Sequence, residues 1–472
     1  MNQQQKKTIL SDPLNHFLSE HPNANEFELN KLRDLIEQRR VLKDQIKDAQ
    51  FQSRSISRQI GETKRQGISI ESLKHSMQTH SMQLKQLNEM LKELEQQLFE
   101  CFKSDETLQE TQTGTSSHFR TYIPPSLDPS QITISLLGNE IDEWNAYVER
   151  SPTASLYHRA DWRQLIQETF GHDAIYCLAK NRQCEVVGVL PLIRLNSHLF
   201  GDFLISMPYF NYGGAISDHP LIEEQLMSFA NEKAARLGVS HVEYRDEIER
   251  QGLPVQAHKV NMLLTLPTDP EQLWNSFSSK LRAQIRRPDR ENPQVFFGRN
   301  DLVDDFYKVF SRNMRDLGTP VYTKRLFINI LNTFPDDSRI ICIKIGNKPV
   351  AAGFLLKHRN MFEIPWASTI KSVNPLSMNM LMYWEVLKFA IEQGIERFDF
   401  GRSTIDSGTF RFKRQWGAKP KQLFWHYWLN EGNEPPSLNP SNPKYALLIA
   451  IWKKLPVSLT RIIGPSIVKY LP

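Results

Sequence analysis

Two short stretches of this chain recur at nearly one spacing. VVGVLPLI, with Gly188, resembles VAAGFLL, with Gly353, and LGVSHVEYR, with Gly238, resembles QGIERFDFG, with Gly394. The offsets are 165 and 156 residues. Each helix–glycine–strand unit must feed a sheet, so a duplicated unit predicts two sheets. From Ile132 to about Asn430 strand-like and helix-like stretches alternate, the pattern of an α/β (α+β) protein. The expectation is two lobes with a cleft where they meet.

The length of 472 residues allows roughly three folding units. With 40% hydrophobic and 24% charged residues, a collagen-like or largely disordered chain is excluded. The formal net charge is +5, and residues 443–472 alone supply Lys444, Lys453, Lys454, Arg461 and Lys469 with no acid. Nucleic-acid binding therefore cannot be read from total charge. The four cysteines form no CxxC pair and the 13 histidines show no HxxxH or HxH spacing, so neither a metal nor a cofactor is expected. The first residues lack a signal-peptide core, and no run reaches the ~18–20 apolar residues of a spanning helix. A reduced, cytoplasmic protein is the expectation.

Residues 26–103 lack proline up to Cys101 and read as helix. Alternating steps of three and four from Leu32 reach Leu35, Arg39, Leu42, Ile46, Ala49, Ser53, Ile56 and Ile60. The same steps from Ile70 reach Leu73, Met77, His80, Leu84, Leu87, Leu91, Leu94 and Leu98. Such stripes are coiled-coil seams. GETKRQG (61–67) lies between them with a glycine at each end, so the two helices should fold back as an antiparallel hairpin. Its tip holds Arg54, Arg58, Lys64 and Arg65. These cations suit a nucleic-acid backbone, or else form a solvated face on a dimerising arm. The run S-x-x-I-G-x-x-K-x-x-G, from Ser57 through Gly67, resembles the N-terminal arm of seryl-tRNA synthetases. That resemblance implies a tRNA-gripping arm, with those four cations on phosphates. The rest of the chain carries no synthetase fingerprint.

Three further motifs point to a cleft. MPYFNYGGAIS (207–217) offers Tyr209, Asn211 and Tyr212 either to a ligand or to a core strand and turn. SSKLRAQIRR (278–287) puts Lys280, Arg282, Arg286 and Arg287 within ten residues, and Arg282 and Arg286 share a helical face. Such a helix binds phosphates or is simply solvated. FDFGRSTIDSGTFRFKRQWGAKP (398–420) ends a strand at Asp399, turns at Gly401, and presents Arg402 and Ser403 where a strand opens. Lys413 follows among Phe410, Phe412 and Trp416. A lysine among aromatics is a strong local charge if desolvated, or a snorkelling surface group if not.

The K-x-R-x-x-I-R run at 280–286 and the D-F-G-R-S…G-x-F-x-F-K run at 399–413 resemble the FemAB family, whose members have two acetyltransferase-like (GNAT) domains. PYFNYGG, FGRST…GTFRFKRQWGA and the tail IWKKLPVSLTRIIGPSIVKYLP are similar to the subgroup associated with exopolysaccharide and PEP-CTERM/exosortase loci. The resemblance implies tandem GNAT-like lobes that transfer an amino acid from aminoacyl-tRNA to an amine of a cell-envelope precursor, without acyl-CoA. Lys413 then matches the catalytic lysine. Asp399 is the candidate general base, with substrate-assisted proton transfer as the alternative. Lys280, Arg282, Arg286, Tyr209, Asn211, Tyr212, Arg402, Ser403, Phe412 and Trp416 are candidate substrate contacts. The organisation expected is an extension (1–25), the arm (26–103), a linker (104–130), lobes at 131–265 and 266–435, and a basic apolar tail (436–472). The tail either rests on the inner face of an anionic membrane or covers an apolar groove. Two rivals remain: an acyl-CoA-dependent N-acyltransferase, although no [QR]-x-x-G-x-[GA] loop is present, and a non-catalytic adaptor.

Overall fold

The computed structural model describes residues 128–433 and 443–471, and eleven single positions between Ile36 and Leu94. The chain divides into two units, Met1–Thr121 and Tyr122–Pro472. In the first unit all eleven described positions are helical. Leu42, Ile46, Ala49 and Leu94, all seam positions, are buried. The tip cations Arg54, Arg58, Lys64 and Arg65 lie outside the described residues.

The second unit contains the repeat. Its first copy runs β1 (Thr133–Leu136), α1 (Ile141–Arg150), α2 (Asp161–Phe170), β2 (Ala174–Lys180), β3 (Val186–Ser197), β4 (Gly201–Ile205), β5 (Ile216–Ser217), α3 (Pro220–Leu237) and β6 (His241–Asp246). A connecting stretch holds β7 (Val255–Gln256), β8 (Lys259–Thr265), α4 (Pro270–Ser276) and α5 (Ser279–Arg286). The second copy runs β9 (Gln294–Gly298), α6 (Val303–Leu317), α7 (Lys324–Thr333), β10 (Ser338–Ile345), β11 (Lys348–His358), β12 (Met361–Thr369), α8 (Met378–Glu392) and β13 (Arg397–Thr404). After it come α9 (Gly408–Arg414), β14 (Lys419–Gln422), β15 (Phe424–Leu429), α10 (Pro443–Trp452) and α11 (Val457–Val468).

The sheets correspond strand for strand. One reads β1-β2-β3-β4-β6-β15-β7, with β5 beside β3; the other, from its opposite end, reads β9-β10-β11-β12-β13-β8-β14. The repeat glycines explain themselves at β3 and β11. A Cβ on Gly188 would stand 2.7 Å from the Ser217 Cβ, and one on Gly353 would stand 2.8 Å from Ile364 Cδ1. At Gly188 a side chain would collide with β5 itself, whereas at Gly353 it would crowd the Ile364 and Ile341 side chains, so glycine is the tighter requirement at Gly188.

The expected cut at 265/266 does not follow the sheets. β8 pairs with β13 and β14 in the second sheet, while β15 returns to pair with β6 and β7 in the first. Each lobe thus lends the other a strand. The lobes also share a core. α2 packs on α7, Trp162 meets Phe334 at 4.9 Å between ring centroids, and Phe210 meets Trp366 at 5.9 Å. One apolar cluster runs from Trp144 and Trp162 through Phe306, Phe327 and Phe354.

The tail packs on the lobes. α11 lies along α6, with Thr460, Gly464 and Val468 buried. Arg461 donates to Ser311 Oγ (2.8 Å), and Arg315 donates to the Leu455 carbonyl (3.0 Å). The Lys469 carbonyl accepts from Tyr209 Oη (2.6 Å) and lies 2.8 Å from His172 Nε2.

Exchanged strands and a common core make the lobes one cooperative body. Trp162→Ala removes a fully buried side chain and the hydrogen bond that its indole N–H gives the Leu156 carbonyl. It should cost about 3–5 kcal/mol. Urea unfolding followed by fluorescence and by far-UV circular dichroism should show one coincident transition at a lower midpoint. Two transitions, only one of them shifted, would contradict the shared core.

Candidate active site

Among the described residues, two strand pairs are parallel, β4 with β6 and β12 with β13, and the others are antiparallel. The parallel pairing of β12 with β13 is short: Met361↔Arg397, Phe362↔Phe398 and Glu363↔Asp399. Beyond that last rung each strand is irregular against its other neighbour. β12 slips against β11 between Phe354 and Leu356, and β13 slips against β8 between Asp399 and Arg402. Gly401, at φ +75°, takes the turn. Two carboxyl groups therefore stand side by side where the strands part, and both are almost fully buried.

Neutral donors hold them. Asp399 Oδ1 accepts from the Gly401 N–H (2.7 Å), and Oδ2 accepts from Asn261 Nδ2 (3.1 Å) and Tyr212 Oη (3.3 Å). Glu363 Oε1 accepts from Asn211 Nδ2 (3.1 Å), and Oε2 shares a short hydrogen bond with Tyr157 Oη. Ser407 caps α9 by accepting from the Phe410 N–H (3.1 Å). One turn on, Lys413 is buried, its Nζ donating to the carbonyls of Gly401 (3.0 Å) and Arg402 (2.8 Å). An ammonium has three donors, of which these carbonyls take two.

Burial is the largest influence on all three groups. It pushes Glu363 up, and the adjacent Asp399 charge pushes it further. Asp399 is also raised by burial, but the Gly401 N–H and the Lys413 charge oppose the rise. Burial brings Lys413 down to about 8 against the pull of Asp399 and Glu363. The arrangement favours one shared proton on the pair, held on the glutamate side.

A cavity of about 350 Å³ opens beside Asp399, lined also by Tyr212, His158, Gly214, Asp246 and Arg250. Of its four acids, Glu223 and Asp246 pair with Arg250, and Glu247 pairs with Lys421. Asp399 makes no ion pair within 4.0 Å among the described residues. The corresponding rung of lobe one, Ile205↔Glu243, is occupied differently. Glu243 is neutralised by Arg245 (2.8 Å) and accepts from Tyr427 (3.1 Å). The lobe-one carboxylate is thus neutralised by its own neighbours, whereas Asp399 is not, and the cavity beside Asp399 is walled mostly by lobe-one residues.

Asn211, Tyr212, Asp399 and Lys413, each singled out in the sequence, are brought together. Tyr209 is not with them; its hydroxyl is spent on the tail. Phe412 and Trp416 face the lobe-two core, where Trp416 packs on Phe277 and Tyr383. Arg402 lies over the Trp425 ring at 5.2 Å, with Arg245 at 4.5 Å from the same ring. Ser403 is buried with no hydrogen-bond partner among the described residues. Lys280, Arg282 and Arg286 lie on α5, with Arg286 over Trp274, and none bonds to either carboxyl group. Glu363 and Tyr157 were missed. The available signal was a charged residue within the apolar strand MFEIPWA.

Residues 276–414 match the model of the acetyltransferase (GNAT) domain, and residues 20–104 match the seryl-tRNA synthetase N-terminal domain. Residues 128–433 form two tandem GNAT-like lobes. Among solved structures the chain is similar to FemX (14% identity, TM-score 0.49, covering 61% of this chain and 96% of that one). It is also similar to a tandem GNAT protein from the clavulanic acid biosynthesis pathway (10%, 0.41, 65% and 100%). A third is a GCN5-related N-acetyltransferase from Sphaerobacter thermophilus (11%, 0.39, 66% and 99%). A search of curated proteins returns no match.

The raised Glu363 carboxyl makes a prediction with a definite sign. The folded protein holds this proton more tightly than the unfolded chain, whose value is near 4.5. The resulting stabilisation is complete below that value and is lost as pH rises through the higher folded value. Glu363→Gln cannot titrate. The Tm of wild type minus that of E363Q should therefore fall steadily between pH 4.5 and about 9, read by calorimetry. A difference that rises over that range would mean Glu363 is held ionised.

Proposed function

We propose that this protein is an acyltransferase that moves an amino acid from aminoacyl-tRNA to an amine of a cell-envelope precursor, as FemAB proteins do. The observation that carries the reading is one chain joining a seryl-tRNA synthetase-type arm (20–104) to a GNAT domain (276–414). A tRNA is much larger than a single lobe. Two weak contacts, at the arm and at the cleft, then strengthen each other through effective concentration.

The chemistry is ester aminolysis. The acceptor nitrogen attacks the ester carbonyl carbon, the bond from that carbon to the ribose oxygen breaks, and the tRNA hydroxyl leaves with a proton. Asp399 takes the proton from the attacking amine and returns it to the ribose oxygen. Three hydrogen bonds from Gly401, Tyr212 and Asn261 favour its ionised form, which supports Asp399 rather than Glu363 as the base. The N–H of Lys413 not spent on the two carbonyls meets the oxyanion. The acceptor is the exopolysaccharide- or peptidoglycan-linked amine that the sequence resemblance implies, and the α5 cations hold its phosphates.

A second reading, with acyl-CoA as donor, is favoured by the acetyltransferase model itself. Against it, the segment between β12 and α8, Lys371–Ser377, contains no glycine where a pyrophosphate-cradling loop would open the helix.

Purified protein, a labelled aminoacyl-tRNA pool and a cell-envelope extract should yield labelled acceptor, with rates lower by roughly 10²–10³ for Lys413→Ala. Near-normal transfer by K413A would remove Lys413 from the chemistry, and label passing only from acyl-CoA would establish the second reading. For the arm, replacing Arg54, Arg58, Lys64 and Arg65 with Ala should flatten the dependence of tRNA affinity on salt. At ~0.9 per phosphate contact, the log–log slope should drop by up to about four units. An unchanged slope would leave the arm a structural element.

A further inference from the structure

The tail does more than cover the lobes. Its inner face is committed: Arg461 to Ser311 and the Tyr307 ring, Gly464 against Val321, and the Lys469 carbonyl to Tyr209. The outer face is apolar. Leu448, Ile451, Leu459, Ile462 and Ile463 are all exposed, with Leu448 at 61% and Ile462 at 73%. They make up five of the fifteen large apolar side chains exposed among the described residues, within 16 positions. Single exposed apolar residues need no explanation, but a cluster of this kind marks an interaction surface.

We propose that this outer face of α10 and α11 docks on an anionic lipid surface. The charges beside it select the occupant. Lys453 and Lys454 close α10, both exposed, and neither makes an ion pair among the described residues. Residues 443–472 hold no acid, and of their five cations Arg461 and Lys469 turn toward the lobes, which leaves Lys453 and Lys454 as the described outward pair. A second copy of the same face would meet like charge, whereas anionic headgroups meet opposite charge beneath the apolar side chains. The helices have ten and twelve residues, hence about 15 and 18 Å at 1.5 Å per residue. No described helix is long and apolar enough to cross a membrane. The pair therefore lies in the interface rather than across it. This proposal does not depend on which acyl donor the lobes use.

Flotation of the full chain with vesicles tests it. Vesicles of phosphatidylcholine mixed with phosphatidylglycerol should capture the protein at low salt, and pure phosphatidylcholine should capture far less. At ~1 kcal/mol per basic residue, Lys453→Gln with Lys454→Gln should weaken partition roughly 30-fold. Both side chains are exposed and unpaired, so the fold is kept, as an unchanged Tm would verify. Leu448→Glu with Ile462→Glu should abolish capture. Failure of the wild type to float with anionic vesicles, or floating of the double-Glu variant like wild type, would overturn the proposal. So would a wild-type dimer in solution that L448E/I462E converts to monomer, because the face would then belong to a second copy.

Discussion

Two carboxyl groups on one rung of a parallel strand pair, in a nearly dry interior, dominate the chemistry of this fold. Glu363 and Asp399 cannot both ionise cheaply at that separation. The surroundings divide them. Asp399 receives a backbone N–H and two side-chain donors and faces an open cavity. Glu363 receives Asn211 and shares a hydrogen bond with Tyr157. Lys413 completes the group, desolvated, but with its charge opposed to both acids. The result is two carboxyl groups and an ammonium whose ordinary values have all moved toward neutrality, each by burial first.

The scaffold explains why only one lobe carries this set. The two sheets share strand order and the position of their parallel pair, so both copies part their strands at the same place. In lobe one that place holds Glu243 with Arg245 and Tyr427, a neutralised and filled site. Reciprocal lending of β8 and β15 ties the two rungs into one body. A loop of lobe one supplies Asn211 and Tyr212 to the lobe-two acids, so the site needs both copies even though its charges come from one. The tail reaches the same loop through Tyr209, which places the fit of α11 on the lobes one loop away from the acids.

Much of this was legible in the sequence, for local reasons. Gly188 and Gly353 sit at matching places in β3 and β11, where little room is left for a side chain. Asp399, Gly401 and Lys413 fall within 15 residues, where a strand end, a turn and a capped short helix can be read together. Strand exchange was not legible. β8 and β15 look like strands, but the sheet each joins is fixed by pairing with distant β13 and β6. Tyr157 and Glu363 meet across 206 residues, a contact that no local pattern encodes. Phe412 and Trp416 misled for the opposite reason. Aromatics around a lysine read as substrate contacts, yet four residues apart they turn inward and fill the core behind Lys413.

We propose that the arm of synthetase type and the GNAT-like body work on one donor, a charged tRNA. Native mass spectrometry of the freshly purified protein tests this most directly. The account predicts a complex heavier than the chain by one tRNA, lost on ribonuclease treatment, with part of the bound RNA carrying an esterified amino acid. A protein that emerges free of RNA but bound to an acyl-CoA would contradict it.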